Sequence, residues 1–197
     1  MTDWNLFWSK RTTQEKLLNF GGIGFNRAFA RHISHRIGRP SASIKILEVG
    51  TGRGVCSVTL KEMGYNCISI DNSEVAVELA NEKKLDVILC DGSKLPFSSK
   101  TFDVVFTQGL LEHIPFDAQV AVIAESKRVA NLAVHSVPAK YGVMDIGERV
   151  YRRFGKVWPY PDEKKFGKDE FGELLATAHE NVKIFGFLKV DWVAYCQ

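Results

Sequence analysis

The sequence lacks the residue patterns that mark disulfide-bonded and zinc-binding proteins. It has four cysteines and none of them forms a CxxC pair: Cys56, Cys67, Cys90 and Cys196. Three of the four fall inside apolar segments, which is typical of buried, reduced thiols. His32 and His35 have no cysteine or second histidine pair near them. We therefore predict no metal site.

Long apolar runs are missing as well. The apolar stretches are short, such as residues 120–124, whereas a membrane-spanning helix needs roughly 20 apolar residues. No apolar segment follows Met1 and the polar residues after it, so we expect no signal peptide. These absences favour a cytoplasmic protein that has no membrane partner.

What the chain does contain is the composition of an ordinary globular domain. It has 197 residues, of which 45% are hydrophobic and 25% are charged, enough for one domain with a full core. The net charge of +3 is unevenly spread, because residues 1–45 carry eight basic side chains and two acidic ones. Such a segment attracts nucleic acid or forms the solvated face of a helix. We favour the second reading, and nucleic acid remains a possible partner.

Segments of strand length alternate with segments of helical periodicity from residue 44 onward. The predicted strands are Ile44–Val49, Cys67–Ile70, Asp86–Cys90, Phe102–Thr107 and Leu132–Val137. The predicted helices between and after them are Arg53–Met63, Glu74–Asn81 and Ala118–Val129. This alternation is typical of a parallel sheet built from βαβ units.

The C-terminal end follows a different pattern. A predicted helix, Asp169–Ala178, precedes two strands in immediate succession, Asn181–Leu188 and Val190–Cys196. Parallel neighbours need a long crossover, so strands this close should pair antiparallel. We therefore predict an α/β fold: a Rossmann-like, doubly wound, seven-stranded and mostly parallel sheet with an antiparallel C-terminal strand pair.

The N-terminal segment and one later segment lie outside this core. Residues 1–40 read as helical, and Gly21, Gly22 and Gly24 should break that helix in two. We expect residues 1–40 to form an N-terminal helical lid segment. Residues 41–197 would then form the main domain, with an insertion at about 139–168.

A glycine-rich loop follows the first predicted strand, where the sequence reads LEVGTGRG at 47–54. Gly50, Gly52 and Gly54 occupy alternate positions between a strand and a helix, which is where nucleotides bind in doubly wound sheets. The dinucleotide fingerprint GxGxxG would need its third glycine at the position of Val55, which argues against an NAD-type oxidoreductase. Glu48, two residues before the first glycine, suits a cationic amine better than a pyrophosphate.

Two further acids end the next two strands. Asp71 lies 21 residues after Gly50, a spacing that suits an acceptor for ribose hydroxyls. Asp91 opens the Asp91-Gly92-Ser93 turn and can accept a hydrogen bond from an exocyclic adenine amine. Three consecutive strand ends thus offer recognition of an amine, a ribose and an adenine.

Residues 44–138 resemble class I S-adenosylmethionine-dependent methyltransferases, and among them the type 11 group that acts on small molecules. The resemblance rests on LEVGTGRG at 47–54, SIDNS at 69–73 and CDGSKLPFSSKTFDVVFTQGLLEHI at 90–114. It implies S-adenosylmethionine as the cofactor. The residues it implies around the cofactor are Glu48, Gly50 and Gly52 at the methionine part, Asp71 at the ribose, Asp91 and Gly92 near the adenine, and Gln108 and Gly109 on the methyl-donor side. We count Thr51, Gly54, Asn72 and Ser93 beside them as further candidates.

The expected function is methyl transfer to a small-molecule acceptor that the sequence does not identify. RNA or protein methylation, and cofactor binding without turnover, remain as alternatives. The DPPY or NPPY tetrapeptide of many base-amino methyltransferases is replaced by Gln108-Gly109-Leu110-Leu111, which argues against nucleobase amines. His113, with Glu112 behind it, is the candidate general base.

We expect the acceptor to be recognised by two aromatic segments that flank one pocket beside Gln108 and His113. The first is the N-terminal segment, whose aromatic residues are Trp4, Phe7, Trp8 and Phe20. The second is the insertion, which carries Tyr141, Tyr151, Arg152, Arg153, Trp158 and Tyr160. Aromatic and cationic side chains together suit a planar or anionic acceptor.

Overall fold

The computed structural model describes residues 3–9, 13–155, 158 and 163–197, and of residues 13–21 it describes the backbone. Within these residues the chain forms seven strands and seven α-helices. The strands are β1 (Lys45–Val49), β2 (Asn66–Asp71), β3 (Asp86–Leu89), β4 (Phe102–Gln108), β5 (Ala130–Pro138), β6 (Val182–Phe187) and β7 (Asp191–Cys196). The helices are α1 (Trp4–Ser9), α2 (Thr13–Ile37), α3 (Val55–Glu62), α4 (Glu74–Asn81), α5 (Phe116–Val129), α6 (Val143–Arg153) and α7 (Lys168–Ala176). A short 3₁₀ helix spans Leu111–His113.

The seven strands form one sheet in the order β3-β2-β1-β4-β5-β7-β6. The first five pair parallel, and β7 lies antiparallel between β5 and β6. This confirms the predicted fold, including the antiparallel C-terminal pair. The first loop after β1 runs longer than predicted, because Arg53 and Gly54 precede the helix and Gly54 has a φ of 68°.

Helices cover both faces of the sheet, and alternate side chains of β1 point to opposite cores. Ile46 packs in the cluster that includes Phe29 of α2 and Leu60 of α3. Leu47 packs in the cluster that includes Ile123 of α5 and residues of α7. This two-residue period is what a strand buried on both faces requires. The carboxyl ends of β1 to β5 are thereby held in fixed positions along one edge.

The helix α2 corrects one prediction from the sequence. The glycines at 21, 22 and 24 do not break the N-terminal segment, because α2 runs without interruption from Thr13 to Ile37. A glycine inside a helix costs only about 1 kcal/mol relative to alanine. Phe29, Ala30 and Ile33 are fully buried, and each large apolar side chain contributes roughly 1.5–3 kcal/mol on burial. Packing on the sheet therefore outweighs the local signal.

The insertion leaves the sheet after β5 and returns beside it. It contains α6, a helix that the sequence reading did not predict, and Ala139 forms a parallel bridge with the fully buried Phe166. The insertion thus lies at the carboxyl edge of the sheet. Within the described residues, no helix is both long and apolar enough to cross a membrane.

Candidate cofactor and acceptor site

The glycine loop takes a sharply turned path at the carboxyl end of β1. Gly50, Gly52 and Gly54 have φ angles of 79°, 49° and 68°. Residues other than glycine rarely adopt this left-handed backbone conformation. The backbone N–H groups of Gly50 and Thr51 both donate to the Ile70 carbonyl, at 2.9 and 3.0 Å. The loop is therefore fixed against the end of β2 before α3 begins.

Trp8 of α1 lies directly over this loop. A Cβ atom placed on Gly52 would come within 2.6 Å of Trp8 Cζ2, so only a glycine admits the ring at this position. The Arg53 guanidinium carbon lies 5.9 Å from the centroid of the same ring. No sequence pattern indicates this contact, because α2 and β1 lie between α1 and the loop along the chain.

Glu48 ties the loop to α3 through buried hydrogen bonds. Its Oε2 accepts from Thr51 Oγ1 at 2.8 Å and from Ser57 Oγ at 2.6 Å, and Ser69 Oγ donates to Ser57 Oγ at 2.8 Å. Burial raises the pKa of the Glu48 carboxyl to about 7, although the two hydroxyl bonds oppose the shift. Contact between Glu48 and a ligand amine stays a prediction.

Asp71, at the end of β2, joins the glycine loop to the start of α4. Its Oδ2 accepts from the Gly52 backbone N–H at 2.8 Å, and its Oδ1 accepts from the Ser73 N–H at 3.0 Å. Burial raises the pKa of the Asp71 carboxyl, while these backbone hydrogen bonds lower it. Ser73 is the N-cap of α4 and accepts from the Ala76 N–H. The carboxylate thus links the glycine loop, which is predicted to hold the cofactor, to the start of α4.

A pocket of about 360 Å³ opens at the ends of β2 and β3. Its lining residues are Asn5, Asn72, Glu74, Leu89, Cys90 and Asp91. Asn72 and Asp91 were predicted as cofactor residues, whereas Asn5 was not. Asn5 arrives from α1, where its Oδ1 accepts from Ser73 Oγ at 2.7 Å.

The Asp91-Gly92-Ser93 turn is stabilised within the chain. Asp91 Oδ1 accepts from the Ser93 N–H at 2.8 Å, and a Cβ on Gly92 would lie 2.6 Å from Val49 Cγ1. Gly92 is therefore needed for the turn to pack against the end of β1. Contact of Asp91 and Gly92 with an adenine stays a prediction.

The end of β4 carries the residues predicted at the methyl-donor side. Gln108 Oε1 lies 2.8 Å from the Cys56 thiol, which donates to it, so its side chain is directed toward the start of α3. His113 lies in the 3₁₀ helix, and its ring centroid is 5.1 Å from that of Trp4 in an edge contact. Glu112 is buried, and burial raises the pKa of its carboxyl well above the usual value.

The two aromatic segments meet at this 3₁₀ helix. Trp4 of α1 contacts His113, and the Lys164 N–H of the insertion donates to the Glu112 carbonyl at 3.1 Å. Phe7 packs on Trp8, with ring centroids 4.9 Å apart.

The aromatic residues of the insertion lie in different surroundings. The Trp158 indole N–H donates to Glu163 at 2.9 Å, and Trp158 is buried. Tyr141 is exposed. The side chain of Phe20 and the whole of Tyr160 lie outside the described residues.

Part of the chain is similar in sequence to known methyltransferases. Residues 47–132 match the family model described as a methyltransferase domain. The mitochondrial ubiquinone biosynthesis O-methyltransferase of Schizosaccharomyces pombe is 28% identical over 148 residues, which cover 66% of this chain and 53% of that protein. The demethylmenaquinone methyltransferase of Corynebacterium urealyticum is 32% identical over 81 residues, covering 41% of this chain and 35% of that protein. The chain thus spans about half and about a third of the lengths of these two curated relatives.

A solved structure resembles the chain over nearly its whole length. Magnesium protoporphyrin IX methyltransferase from Synechocystis PCC 6803, with bound S-adenosylhomocysteine, superposes with a TM-score of 0.70. The superposition covers 98% of this chain and 93% of that one, at 16% sequence identity. At this identity the likeness establishes the fold.

Proposed function

We propose that this chain, in which residues 47–132 form a methyltransferase domain of the matched family, binds S-adenosylmethionine and transfers its methyl group to a small-molecule acceptor. The observation that carries the proposal is the position of Asp71. Its buried carboxylate accepts from the Gly52 N–H of the glycine loop, and its neighbour Asn72 lines the adjacent pocket. The glycine loop, the Asp71 carboxylate that we propose for the ribose, and the pocket therefore lie at adjoining strand ends, where doubly wound sheets bind nucleotides.

The residues present fit this cofactor. The three left-handed glycines expose backbone atoms where the methionine part would lie, and the pocket offers the polar side chains of Asn72 and Asp91 to the ribose and adenine. Asn5 extends the same pocket from α1. Glu48 supports the loop through Thr51 and Ser57.

The cofactor, when bound, supplies a methyl group that is already activated by its sulfonium centre. The protein is left with positioning the acceptor in line and keeping water out. The aromatic residues Trp4, Phe7 and Trp8 of α1 are suited to both tasks, since they cover the space between Gly52 and His113. We propose that α1 is the lid of the site. The second half of α2 is buried on the sheet and is not part of this lid, whereas α1 packs against α4.

We propose that His113 is the general base that takes the proton from a hydroxyl group of the methyl acceptor. It follows the end of β4 and lies against Trp4, at the turn where α1 and the insertion meet. A base is required only if the acceptor loses a proton during transfer. If His113→Ala keeps the full turnover of the wild type between about pH 6 and about pH 8, this role is excluded.

The acceptor that the site suits best is a planar aromatic molecule. Two observations support this class: the aromatic cluster of α1 beside His113, and the names of the relatives, which act in ubiquinone biosynthesis and on demethylmenaquinone. Flat aromatic faces bind other aromatic rings by offset or edge contacts.

The test is transfer of a trideuterated methyl group from S-adenosylmethionine to defined acceptors, followed by mass spectrometry. The acceptors are a catechol, a demethylated quinol, bulk RNA and a mixture of unmethylated proteins. We expect the label on the catechol or the quinol, with an equal amount of S-adenosylhomocysteine formed. Label found only on RNA or protein would overturn the small-molecule proposal. If neither label on an acceptor nor S-adenosylhomocysteine is formed, the proposal that the protein transfers a methyl group would be contradicted.

A further inference from the structure

The helix α6 is oriented with its apolar side toward solvent. Val143, Ile146, Val150 and Phe154 follow each other at helical spacing and are 57%, 55%, 51% and 75% exposed. Asp145, in contrast, is buried on another side of the same helix. A helix on the surface of a globular protein normally shows the reverse arrangement, so this apolar side calls for an occupant.

Hydrogen bonds and ion pairs on the polar side hold α6 in this orientation. Asp145 Oδ2 accepts from the Tyr141 N–H at 2.7 Å. Glu148 pairs with Lys165 at 3.2 Å, and both side chains are largely buried. Turning the apolar side inward would break these contacts and expose charges that are now paired. The outward orientation is therefore a built feature of the fold.

The exposed apolar surface continues beyond the helix. Tyr141, just before α6, is 70% exposed, and Leu188, in the turn between β6 and β7, is 59% exposed. The Val143 N–H donates to the Lys189 carbonyl at 2.8 Å, which holds that turn against the start of α6. We call the α6 face the set of Tyr141, Val143, Ile146, Val150, Phe154 and Leu188.

Basic side chains border the α6 face. Residues 140–154 contain four basic residues and two carboxylates. Helical spacing places Arg152 with Glu148 on the opposite side of the helix, whereas Arg153 lies close to the apolar side. Asp145 and Glu148 are turned inward, and Arg149, paired with Asp145, is 60% exposed. The Lys140 Nζ and the Arg149 guanidinium carbon lie 5.6 and 5.5 Å from the Tyr141 ring centroid, at the edge of the face. The rim of the α6 face is therefore positive.

We propose that the α6 face docks this protein on an anionic lipid surface. A helix with one apolar side and a basic border lies in the interface of a membrane, with its apolar side in the lipid and its cations at the head groups. A second copy of the chain fits less well, because two basic rims would be brought together. The absence of a spanning run predicted no membrane partner, but an interfacial helix binds a lipid surface without spanning it.

Docking in this way brings the acceptor side of the site toward the lipid. α6 follows β5 at the carboxyl edge of the sheet, and the same insertion contacts Glu112, the neighbour of His113. The proposal does not depend on methyl transfer, since binding to vesicles can be measured without any reaction.

The test is flotation of the full chain with vesicles of phosphatidylcholine alone, or of phosphatidylcholine mixed with phosphatidylglycerol. We expect binding to the mixed vesicles that weakens as salt is added. The double variant Ile146→Glu/Val150→Glu should bind at least about tenfold more weakly, because two apolar side chains no longer enter the lipid. Arg153→Gln should weaken binding by about fivefold.

Matched variants separate this effect from damage to the fold. Ile146→Leu/Val150→Leu should bind like the wild type, as should Ile23→Glu, which alters an exposed apolar residue of α2. Affinity for S-adenosylhomocysteine should be the same in all of them. Absence of vesicle binding by the wild type, or equal binding by the double glutamate variant, would overturn the proposal. So would a dimer in analytical ultracentrifugation that only the glutamate variant loses.

Discussion

At the scale of single residues, the largest effect on cofactor affinity is expected at Asp71. Loss of a charged hydrogen-bond acceptor costs about 1.5–3 kcal/mol, so Asp71→Ala should weaken binding of S-adenosylhomocysteine by roughly 10- to 150-fold. Asp71→Glu should be nearly as harmful, because the extra methylene displaces the carboxylate from the Gly52 N–H. Isothermal titration calorimetry measures both, and thermal melting of each variant reports how much of the fold depends on the same contacts. An unchanged affinity in either variant would remove Asp71 from the ribose.

Glu48 gives a prediction about pH. Burial raises the pKa of its carboxyl to about 7, so between its unfolded pKa and about 7 the folded chain keeps a proton that the unfolded chain has lost. Glu48 therefore contributes most to stability at low pH, and that contribution is lost as the pH rises through this window. Glu48→Gln keeps a neutral acceptor for Thr51 and Ser57 but does not titrate.

The measurement is urea unfolding of the wild type and of Glu48→Gln across this window, from about pH 4 to about pH 8. We expect the wild type to lose stability relative to the variant as the pH increases. If the free energy of unfolding of the wild type, taken relative to that of Glu48→Gln, stays constant or increases with pH, the carboxyl titrates below the window and its pKa is not raised.

The residues of the site were readable to different degrees. The positions of the glycines and of Asp71 at the strand ends could be predicted, because strand, loop and acid follow one another at fixed spacing in one βαβ unit. Asn5 and the position of Trp8 could not, because their contacts depend on where a separate helix packs. The serines beneath Glu48 were missed for a related reason: Ser57 and Ser69 become neighbours only once α3 lies on the sheet.

At the scale of elements, α1 is the part we expect to respond to ligand. Trp8 covers Gly52, and Trp4 contacts His113, so the lid touches residues that we expect to lie beside the bound cofactor. Trypsin can cleave after Lys10 and Arg11, and saturating S-adenosylhomocysteine should slow cleavage there. Trp8→Ala should remove this protection, whereas Leu6→Ala, at an exposed position of the same helix, should keep it. Equal cleavage of the wild type with and without ligand would contradict a closing lid.

The elements themselves show what local pattern can and cannot predict. α4 has the predicted bounds, Glu74–Asn81, because Ser73 supplies a clear N-cap. α2 was predicted to be broken, because its glycines are a local signal whereas the burial of Phe29 and Ile33 is a property of the packed molecule. α6 was not predicted, although its apolar residues are regularly spaced. The insertion was interpreted only through its aromatic and charged side chains, so the helical spacing of the apolar ones was missed.

At the scale of the whole molecule, the sheet topology was predictable. Alternating strand and helix segments require parallel crossovers, and two strands separated by a short turn require an antiparallel pair. The parallel pairing of β1 to β5 and the antiparallel pairing of β6 with β7 confirm both. What surrounds the sheet was not predictable to the same degree, because the positions of α1 and α6 depend on contacts between distant parts of the chain.

The central claim is that this fold holds S-adenosylmethionine at the ends of β1, β2 and β3. Parallel calorimetric titrations of the purified full chain with S-adenosylmethionine, S-adenosylhomocysteine and NADH test it most directly. We predict saturable binding of the first two and none of NADH, since Val55 stands where the dinucleotide loop needs its third glycine. Binding of NADH, or the absence of binding by both adenosyl ligands, would contradict the account.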